Sequence, residues 1–532
     1  MKCMDLKVHA INLHSYSNKE QKESVLTEND SRSCFQQLLC LRKKQAESSI
    51  LLELSGREDI NSVTSICEKY GTIKSLYTYP GECGNIFLLL EFVDQNSCRN
   101  LLLNCQCSNI VDSISICTRL IKFKRKYECR DPKMPVDVIE ETTTASDYKP
   151  ETVSNVIKSI YASEQLSELS IRLRFFFCAV IKDSISGLFP NCDVIPFGSS
   201  VNGIGREGCD LDLMIRLNPE QMNPESELFF SSKTYGGGVR ILQRKSVNGI
   251  SEYLAAFIPG IMNYEKILNA RIPIFKFEQK ILGLKCDISV NNMSAVLMSD
   301  ILYFCGEIDH RVRPLIHAVK KWAKEGCITA EKPGSYITNF GLSLLVLFFL
   351  QNRPAPILPP LKDALCIVGE DLTVNFGLQY LKPLSEWQMK ASLNKESLAF
   401  LLKEFLVFLG TCDFKEHHIS LLTGLARERN DSERKQGNNN SSPIWVQYPV
   451  EEDKNVTKNI SVYELDDMCE KAWISSKYFS SKMNSKISHP NELSSCLGVK
   501  KLKKFGNYDS NKLDVGALFD DRTKVHKKGR HF

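Results

Sequence analysis

Two acidic residues one position apart, Asp210 and Asp212, constrain this 532-residue chain more than any other feature of its sequence. They flank Leu211 at the start of an apolar segment that predicts a strand over 210–217, so both carboxylates project from the same face. A third candidate acid, Asp287, lies among apolar residues that predict another strand. Carboxylates this close repel each other when ionised, and a hard divalent cation such as Mg²⁺ relieves that repulsion. An isolated acid pair on a strand is also typical of a solvated edge, so the metal interpretation depends on all three acids.

A glycine and a serine, Gly198 and Ser199, follow the apolar stretch 194–197 a short distance before the acid pair. The backbone N–H groups and hydroxyls of such a turn are suited to binding a triphosphate. Two metal ions about 3.5 to 4 Å apart activate an attacking hydroxyl and stabilise a leaving pyrophosphate. The combination predicts that phosphates and metals meet in one cleft.

Two lysines, Lys320 and Lys324, lie four residues apart on a predicted helix over 313–325. They share a face, so both ammonium groups can reach one triphosphate, while Lys321 points elsewhere. A solvated helix face is the alternative interpretation of the same spacing.

Composition excludes several classes of protein. The hydrophobic fraction of 43% supports packed cores, and the longest apolar stretch, 342–350, is shorter than the roughly 20 residues of a membrane span. The net charge of +5 is small, so nucleic-acid contacts must come from local patches. The twenty cysteines form no C-x-x-C pair, which indicates reduced thiols rather than a zinc site.

The N-terminal region predicts an RNA-recognition-motif-like (RRM-like) domain over 46–130, with the order βαββαβ. The predicted strands are 50–54, 72–79, 85–92 and 114–122, and the predicted helices are 60–70 and 95–103. Phe87 and Phe92 fit the aromatic strand motif, but Ile86 stands where glycine is expected and Leu89 where a stacking aromatic is expected. A packing or dimerisation module is therefore favoured over an RNA-binding one.

Four segments resemble the noncanonical poly(A) and poly(U) polymerase branch of the DNA polymerase beta superfamily of nucleotidyltransferases. They are 197–212 (FGSSVNGIGREGCDLD), 286–288 (CDI), 319–324 (VKKWAK) and 337–351 (ITNFGLSLLVLFFLQ). The last segment, with PILPPL after it, is most similar to the mitochondrial poly(A) polymerases, and the resemblance extends over about 46–475. It implies an α+β fold with a nucleotidyltransferase palm built on a mixed sheet, a helical PAP-associated central domain and the N-terminal RRM-like domain.

The domain limits expected from these patterns cover the whole chain. They are 1–45 for an N-terminal segment and potential targeting region, 46–130 for the RRM-like domain, 131–150 for a linker, 151–293 for the palm with a leading helix, 294–480 for the helical domain with an inserted loop at 427–442, and 481–532 for a basic disordered tail.

The resemblance also assigns roles to residues. It makes Asp210, Asp212 and Asp287 the catalytic metal ligands for two Mg²⁺ or Mn²⁺ ions. The expected nucleotide-binding residues are Gly198, Ser199, Asn292, Lys320, Lys324, Asn339 and Phe340.

Three of these roles come from the resemblance alone. Asn292 takes the place of an Asn directed at the ribose hydroxyls, Asn339 of a Ser on phosphate, and Phe340 of a Tyr that stacks on the base. Phe340 stacks without a hydroxyl. Without the resemblance, Phe340 is typical of a core residue and Asn292 of a turn.

The function implied is template-independent addition of AMP from ATP to RNA 3′ ends, in mitochondrial mRNA polyadenylation. The chain has no His between His418 and His489, where uridylyl-transferring relatives present one, and 455–461 resembles the loop of the poly(A) enzyme. The alternatives are an RNA terminal uridylyltransferase, an inactive RNA-binding or dimer-partner protein, and a small-molecule nucleotidyltransferase.

The expected partners are ATP, an RNA 3′ end and a second copy of the chain, bound through the RRM-like domain. The resemblance implies a mitochondrial location. Residues 1–31 carry five acids and no Arg, which is unlike a mitochondrial presequence, so a cytoplasmic location is the alternative.

Overall fold

The structure is a computed structural model. It describes residues 9–10, 33–54, 60–81, 84–105, 118–123, 151–217, 238–330, 334–368, 377–429, 442–483, 486–487 and 492–499. The predicted linker, most of the predicted inserted loop and the chain beyond 499 lie outside these residues.

The N-terminal region is a sheet with helices on one face. Its elements are β1 (His9–Ala10), α1 (Cys34–Glu47), β2 (Ser49–Leu54), α2 (Ile60–Cys67), β3 (Ile73–Pro80), β4 (Ile86–Phe92), α3 (Gln95–Asn104) and β5 (Leu120–Lys122). The strand order is β1-β3-β4-β2-β5, and from β2 to β5 the elements follow the order βαββαβ. Because strand side chains alternate, Leu52 and Leu88 face α2 and α3, while Leu51 and Leu89 face the other way.

The central region is built on a five-stranded mixed sheet. Its elements are β6 (Glu151–Thr152), α4 (Val153–Glu164), α5 (Glu168–Ile185), β7 (Cys192–Phe197), β8 (Leu211–Leu217), α6 (Val239–Phe257), β9 (Ile261–Ile267), β10 (Ile274–Gln279) and β11 (Leu284–Val290). The order is β7-β8-β11-β10-β9, with β8 and β11 parallel and the other pairs antiparallel. Helices α5 and α6 pack on the face that carries Leu211, Leu213 and Ile215. The predicted α+β fold with a mixed sheet is confirmed.

The C-terminal region is mainly helical. Its elements are α7 (Met293–Ile308), α8 (Val312–Glu325), α9 (Asn339–Gln351), α10 (Leu361–Ala364), β12 (Leu365–Val368), β13 (Gly377–Tyr380), α11 (Leu384–Ala391), α12 (Leu398–Thr411), β14 (His417–Ser420), β15 (Leu425–Glu428), β16 (Trp445–Tyr448), β17 (Glu451–Asn455), α13 (Val462–Lys482), β18 (Lys486–Ile487) and α14 (Glu492–Cys496). Helix α9 is buried from Gly341 to Gln351, as its unbroken apolar sequence predicts.

The face of the N-terminal sheet opposite α2 and α3 is covered by the central region. Leu51, Tyr79, Phe87 and Leu89 join one hydrophobic cluster with α5 and the mixed sheet. The Tyr79 hydroxyl donates a hydrogen bond of 3.3 Å to the Ile281 carbonyl. An RRM stacks bases on the corresponding face. In this chain that face is covered and serves packing instead.

Two predicted domain limits need correction. The limit at 45 cuts helix α1, whose residues Phe35 and Ala46 are buried against the central region. Helix α4 lies inside the predicted palm limits, and its buried residues, such as Val156, pack against the core of the helical region. The predicted disordered tail starts too early, because Leu493 and Leu497 are buried in that same core.

Within the described ranges, no helix is long and apolar enough to cross a membrane. The cysteines of the same ranges are free thiols.

Candidate active site

The three acids predicted from the sequence lie side by side on the mixed sheet. Asp212 is the second residue of β8, and Asp210 immediately precedes that strand. In the parallel ladder between β8 and β11, Asp287 is the register partner of Asp212. The acids face away from α5 and α6, because the alternate residues Leu211 and Leu213 face those helices.

Two of the three acids, Asp210 and Asp212, have a pKa raised above the usual range, as expected of clustered carboxylates. Burial raises the pKa of Asp212 to about 7, and the charges of Asp287 and Asp210 add to the effect. Burial and the charge of Asp287 also raise the pKa of Asp210. A hard cation with a preference for oxygen ligands removes this repulsion, so the residues fit Mg²⁺ or Mn²⁺.

A lysine on the neighbouring strand partly neutralises the cluster. Lys276 of β10 is the register partner of Asp287, and its Nζ donates a 2.5 Å hydrogen bond to Asp287 Oδ2. Burial disfavours the charged form of Lys276, but Asp287, Asp210 and Asp212 raise its pKa overall. In the part of the chain that the structure describes, no three His, Cys, Asp or Glu side chains are already arranged to hold a metal ion. Lys276 therefore competes with any bound ion for the Asp287 carboxylate.

The Gly-Ser turn lies directly against the second acid. Gly198 follows β7 in a short 3-10 turn, Gly198–Ser200, and has φ +68°. A Cβ atom on Gly198 would stand 2.7 Å from Asp212 Oδ2, so glycine is required both for the backbone conformation and for the space. The N–H of Gly198 donates a 2.7 Å hydrogen bond to Ser299 Oγ. That N–H is therefore not free for a phosphate, which leaves Ser199 as the predicted contact of this turn.

The lysines of α8 differ in their surroundings. Lys321 forms an ion pair of 2.7 Å with Glu164, as expected of a residue that points elsewhere. Lys320 is partly buried, and this burial lowers its pKa to about 8. Cys209 acts to raise that pKa, and the positive charge of Arg206 acts to lower it. Lys324 is exposed in the last turn of α8. A partly buried ammonium whose charge is disfavoured is a suitable site for a phosphate.

The residues expected to hold the sugar and base lie at helix N-termini. Asn292 is the N-cap of α7, and its Oδ1 accepts a 3.3 Å hydrogen bond from Ser294. Asn339 is the exposed first residue of α9, and Phe340 is partly buried beside it. The Phe340 ring lies edge-on to Tyr448 at a centroid distance of 6.2 Å.

The loop after β17 uses its amide groups internally. The Asn455 amide donates to the Ile444 carbonyl at 2.9 Å, and the Asn459 amide donates to the carbonyls of Gly334 and Tyr336 at 2.9 and 2.7 Å. These two amides are therefore occupied by contacts within the protein.

Sequence reasoning missed Lys276, Ser299 and Tyr448. The pairing of Lys276 with Asp287 follows from the hairpin register of β10 and β11, so counting outward from the turn at Gly283 would have found it. No local pattern indicates Ser299 or Tyr448, because each contact joins segments far apart in the chain.

Comparisons with known proteins identify similar chains. Residues 153–307 match the family described as "Poly(A) RNA polymerase, mitochondrial-like, central palm domain". The chain is 30% identical over 465 residues to the Homo sapiens "Poly(A) RNA polymerase, mitochondrial", covering 83% of this chain and 77% of that protein. It is 28% identical over 466 residues to the Drosophila melanogaster protein of the same name, covering 82% and 74%. A crystal structure of an mtPAP variant in complex with ATPγS superimposes with a TM-score of 0.73 at 26% identity, covering 88% of this chain and 99% of that chain.

Proposed function

The chain belongs to the mitochondrial poly(A) polymerase family and is a polynucleotide adenylyltransferase, and we propose that it extends mitochondrial RNA 3′ ends with two divalent ions held by Asp210, Asp212 and Asp287. AMP is added from ATP without a template. We propose the mitochondrial location, the choice of RNA and the set of metal ligands.

One observation carries the assignment of the site. The β8–β11 register sets Asp287 beside Asp212, and the Gly198 turn closes directly over Asp212 Oδ2. The proposed metal ligands therefore lie directly beside the proposed phosphate-binding turn, as nucleotidyl transfer requires.

The chain's own residues divide the work of binding ATP. Ser199 and Lys320 hold the triphosphate from two sides, and Lys324 adds positive charge at the end of α8. Phe340 stacks on the base next to Tyr448, and Asn292 lies at the start of α7 for the ribose. Preorganised contacts of this kind hold the α-phosphate in line with the RNA 3′ hydroxyl.

When bound, two divalent ions would lower the pKa of the RNA 3′ hydroxyl and stabilise charge on the leaving pyrophosphate. Asp210 and Asp212 would hold both ions, and Asp287 would hold the one that acidifies the 3′ hydroxyl. Lys276 would then give up its hydrogen bond to Asp287.

RNA binding and self-association need other surfaces than the N-terminal sheet face. Because Tyr79 and Leu89 are buried in the interior, neither a base nor a second chain can reach that face without opening the molecule. A homodimer through the RRM-like domain therefore has to use the domain's helices or strand edges.

Extension of an oligo(A) RNA primer by the full chain tests the proposal when each ribonucleotide is supplied alone with Mg²⁺. We expect ladders of added nucleotides with ATP, and much weaker extension with UTP, CTP and GTP. Preferential use of UTP would reject adenylation in favour of uridylyl transfer, and no extension with any nucleotide would favour the inactive alternative.

A further inference from the structure

Arg313, the second residue of α8, extends its side chain between two glycines from different parts of the fold. A Cβ atom on Gly203, which has φ +76° in the loop between β7 and β8, would stand 2.4 Å from Arg313 Nε. A Cβ atom on Gly306 of α7 would also stand 2.4 Å from that nitrogen. A side chain at either position would displace the guanidinium, so the two glycines leave the space that Arg313 occupies.

The guanidinium is anchored by residues of α7. It forms a 2.7 Å ion pair with Glu307, donates a 3.4 Å hydrogen bond to the Tyr303 carbonyl and lies 5.0 Å from the centre of the Tyr303 ring. The side chain is 18% exposed, and within the described residues its buried Nε has no hydrogen-bond partner. The contact with Gly203 is thus one of shape, in which a rigid, anchored cation supports the backbone of the loop.

The same face of α8 lies near the loop 198–210 at two points. Arg313, His317, Lys320 and Lys324 recur at helical spacing on this face. Lys320 has Arg206 and Cys209 of the loop as its electrostatic neighbours, two turns beyond the contact of Arg313 with Gly203. The loop begins with the Gly-Ser turn, so α8 and the loop are the two sides of the proposed triphosphate pocket.

We propose that Arg313 is a positioning residue that docks α8 against the loop at Gly203 and thereby sets the separation between Ser199 and Lys320. It touches neither ATP nor RNA. The inference rests on the proposed function of these two residues, because it concerns the pocket that they form.

Replacement of the guanidinium tests the role. With Arg313→Met, we expect the KM for ATP and the Kd for ATPγS to rise about tenfold while kcat changes less, because a loosened pocket weakens a contact made before and during transfer. Arg313→Lys keeps the charge but loses the planar group, and should recover only part of the affinity.

Arg353→Met is the matched control. Arg353 also pairs with a glutamate, Glu396, and lies 4.8 Å from the centre of an aromatic ring, Phe349. None of its contacts involves the loop. This variant should lose stability with an unchanged KM for ATP, whereas an equal rise in KM in both variants would mean that general loosening explains the effect.

Gly306→Ala supplies the reciprocal test. Alanine favours a helix over glycine, and Gly306 has no positive φ, so the added methyl acts only through Arg313. We expect a higher KM for ATP in this variant, and a double variant with Arg313→Met whose effect is smaller than the product of the two single effects. Effects that simply multiply would overturn the inference.

The inference and the proposed function fail in distinguishable ways. If the wild-type chain neither binds ATPγS nor transfers AMP, the proposed function is wrong. If the wild type binds ATPγS and Arg313→Met binds it equally well, Arg313 does not position the pocket.

Discussion

The substitution Gly198→Ala separates the geometry of the site from the stability of the fold. Gly198 has φ +68°, a conformation that costs a residue with a Cβ about 1 to 2 kcal/mol. The new methyl would also stand 2.7 Å from Asp212 Oδ2. The side chain of Asp212 can rotate away more easily than the backbone can move, so the displacement falls on the proposed metal ligand.

We therefore expect Gly198→Ala to lose about 1 to 2 kcal/mol of unfolding free energy and about a hundredfold in the rate of AMP transfer. Urea denaturation measures the first quantity, and single-turnover primer extension with ATP measures the second. Gly283→Ala is the control, because Gly283 has φ +64° but nothing within 4 Å of the added methyl. If the two variants transfer AMP equally fast, the close approach of Gly198 to Asp212 does not matter for catalysis.

Three further substitutions test separate parts of the account. Tyr79→Ala should cost about 3 kcal/mol or more of unfolding free energy, because the ring is buried. The variant should keep its RNA affinity in a gel-shift assay. A selective loss of RNA binding would instead indicate that this sheet face binds RNA. Lys276→Met should tighten Mn²⁺ binding about tenfold by electron paramagnetic resonance, because a cation that competes for Asp287 is removed; weaker binding would show that Lys276 orients the acid instead. Burial raises the pKa of Asp300 to about 7, so this acid holds its proton in the folded protein and releases it when the chain unfolds. The free energy of unfolding should thus fall as the pH rises from about 4 to 7, by at most roughly 1.4 kcal/mol per pH unit. Urea denaturation of Asp300→Asn at several pH values should show a smaller fall. An equal fall in the variant would exclude Asp300 as the cause of the pH dependence.

The sequence predicts the acids better than it predicts their surroundings. Strand alternation predicts that Asp210 and Asp212 share a face, because residues two apart on a strand point the same way in any fold. The assignment of Asp287 depends on those two acids. The loop that follows β7 contacts Ser299 and Arg313, which lie on helices about a hundred residues further along the chain. Such contacts depend on how the helices pack, which no local period encodes.

The element boundaries show the same division. The unbroken apolar sequence of α9 predicts a buried element, whereas α6 and β9 were not predicted, because exposed residues interrupt their apolar pattern. Helix α1 was not predicted either. Its first turn is fixed by a contact between distant segments, in which Ser33 donates a 3.0 Å hydrogen bond to Asp300.

The central claim is that Asp210, Asp212 and Asp287 together bind divalent ions beside the triphosphate. A crystal of the full chain grown with Mn²⁺ and a nonhydrolysable ATP analogue tests it through anomalous diffraction. The account predicts two anomalous peaks, both touching Asp210 and Asp212, one of them also touching Asp287, with Lys276 no longer bonded to that acid. Peaks elsewhere, or an Asp287 that keeps its contact with Lys276 while the nucleotide is bound, would contradict it.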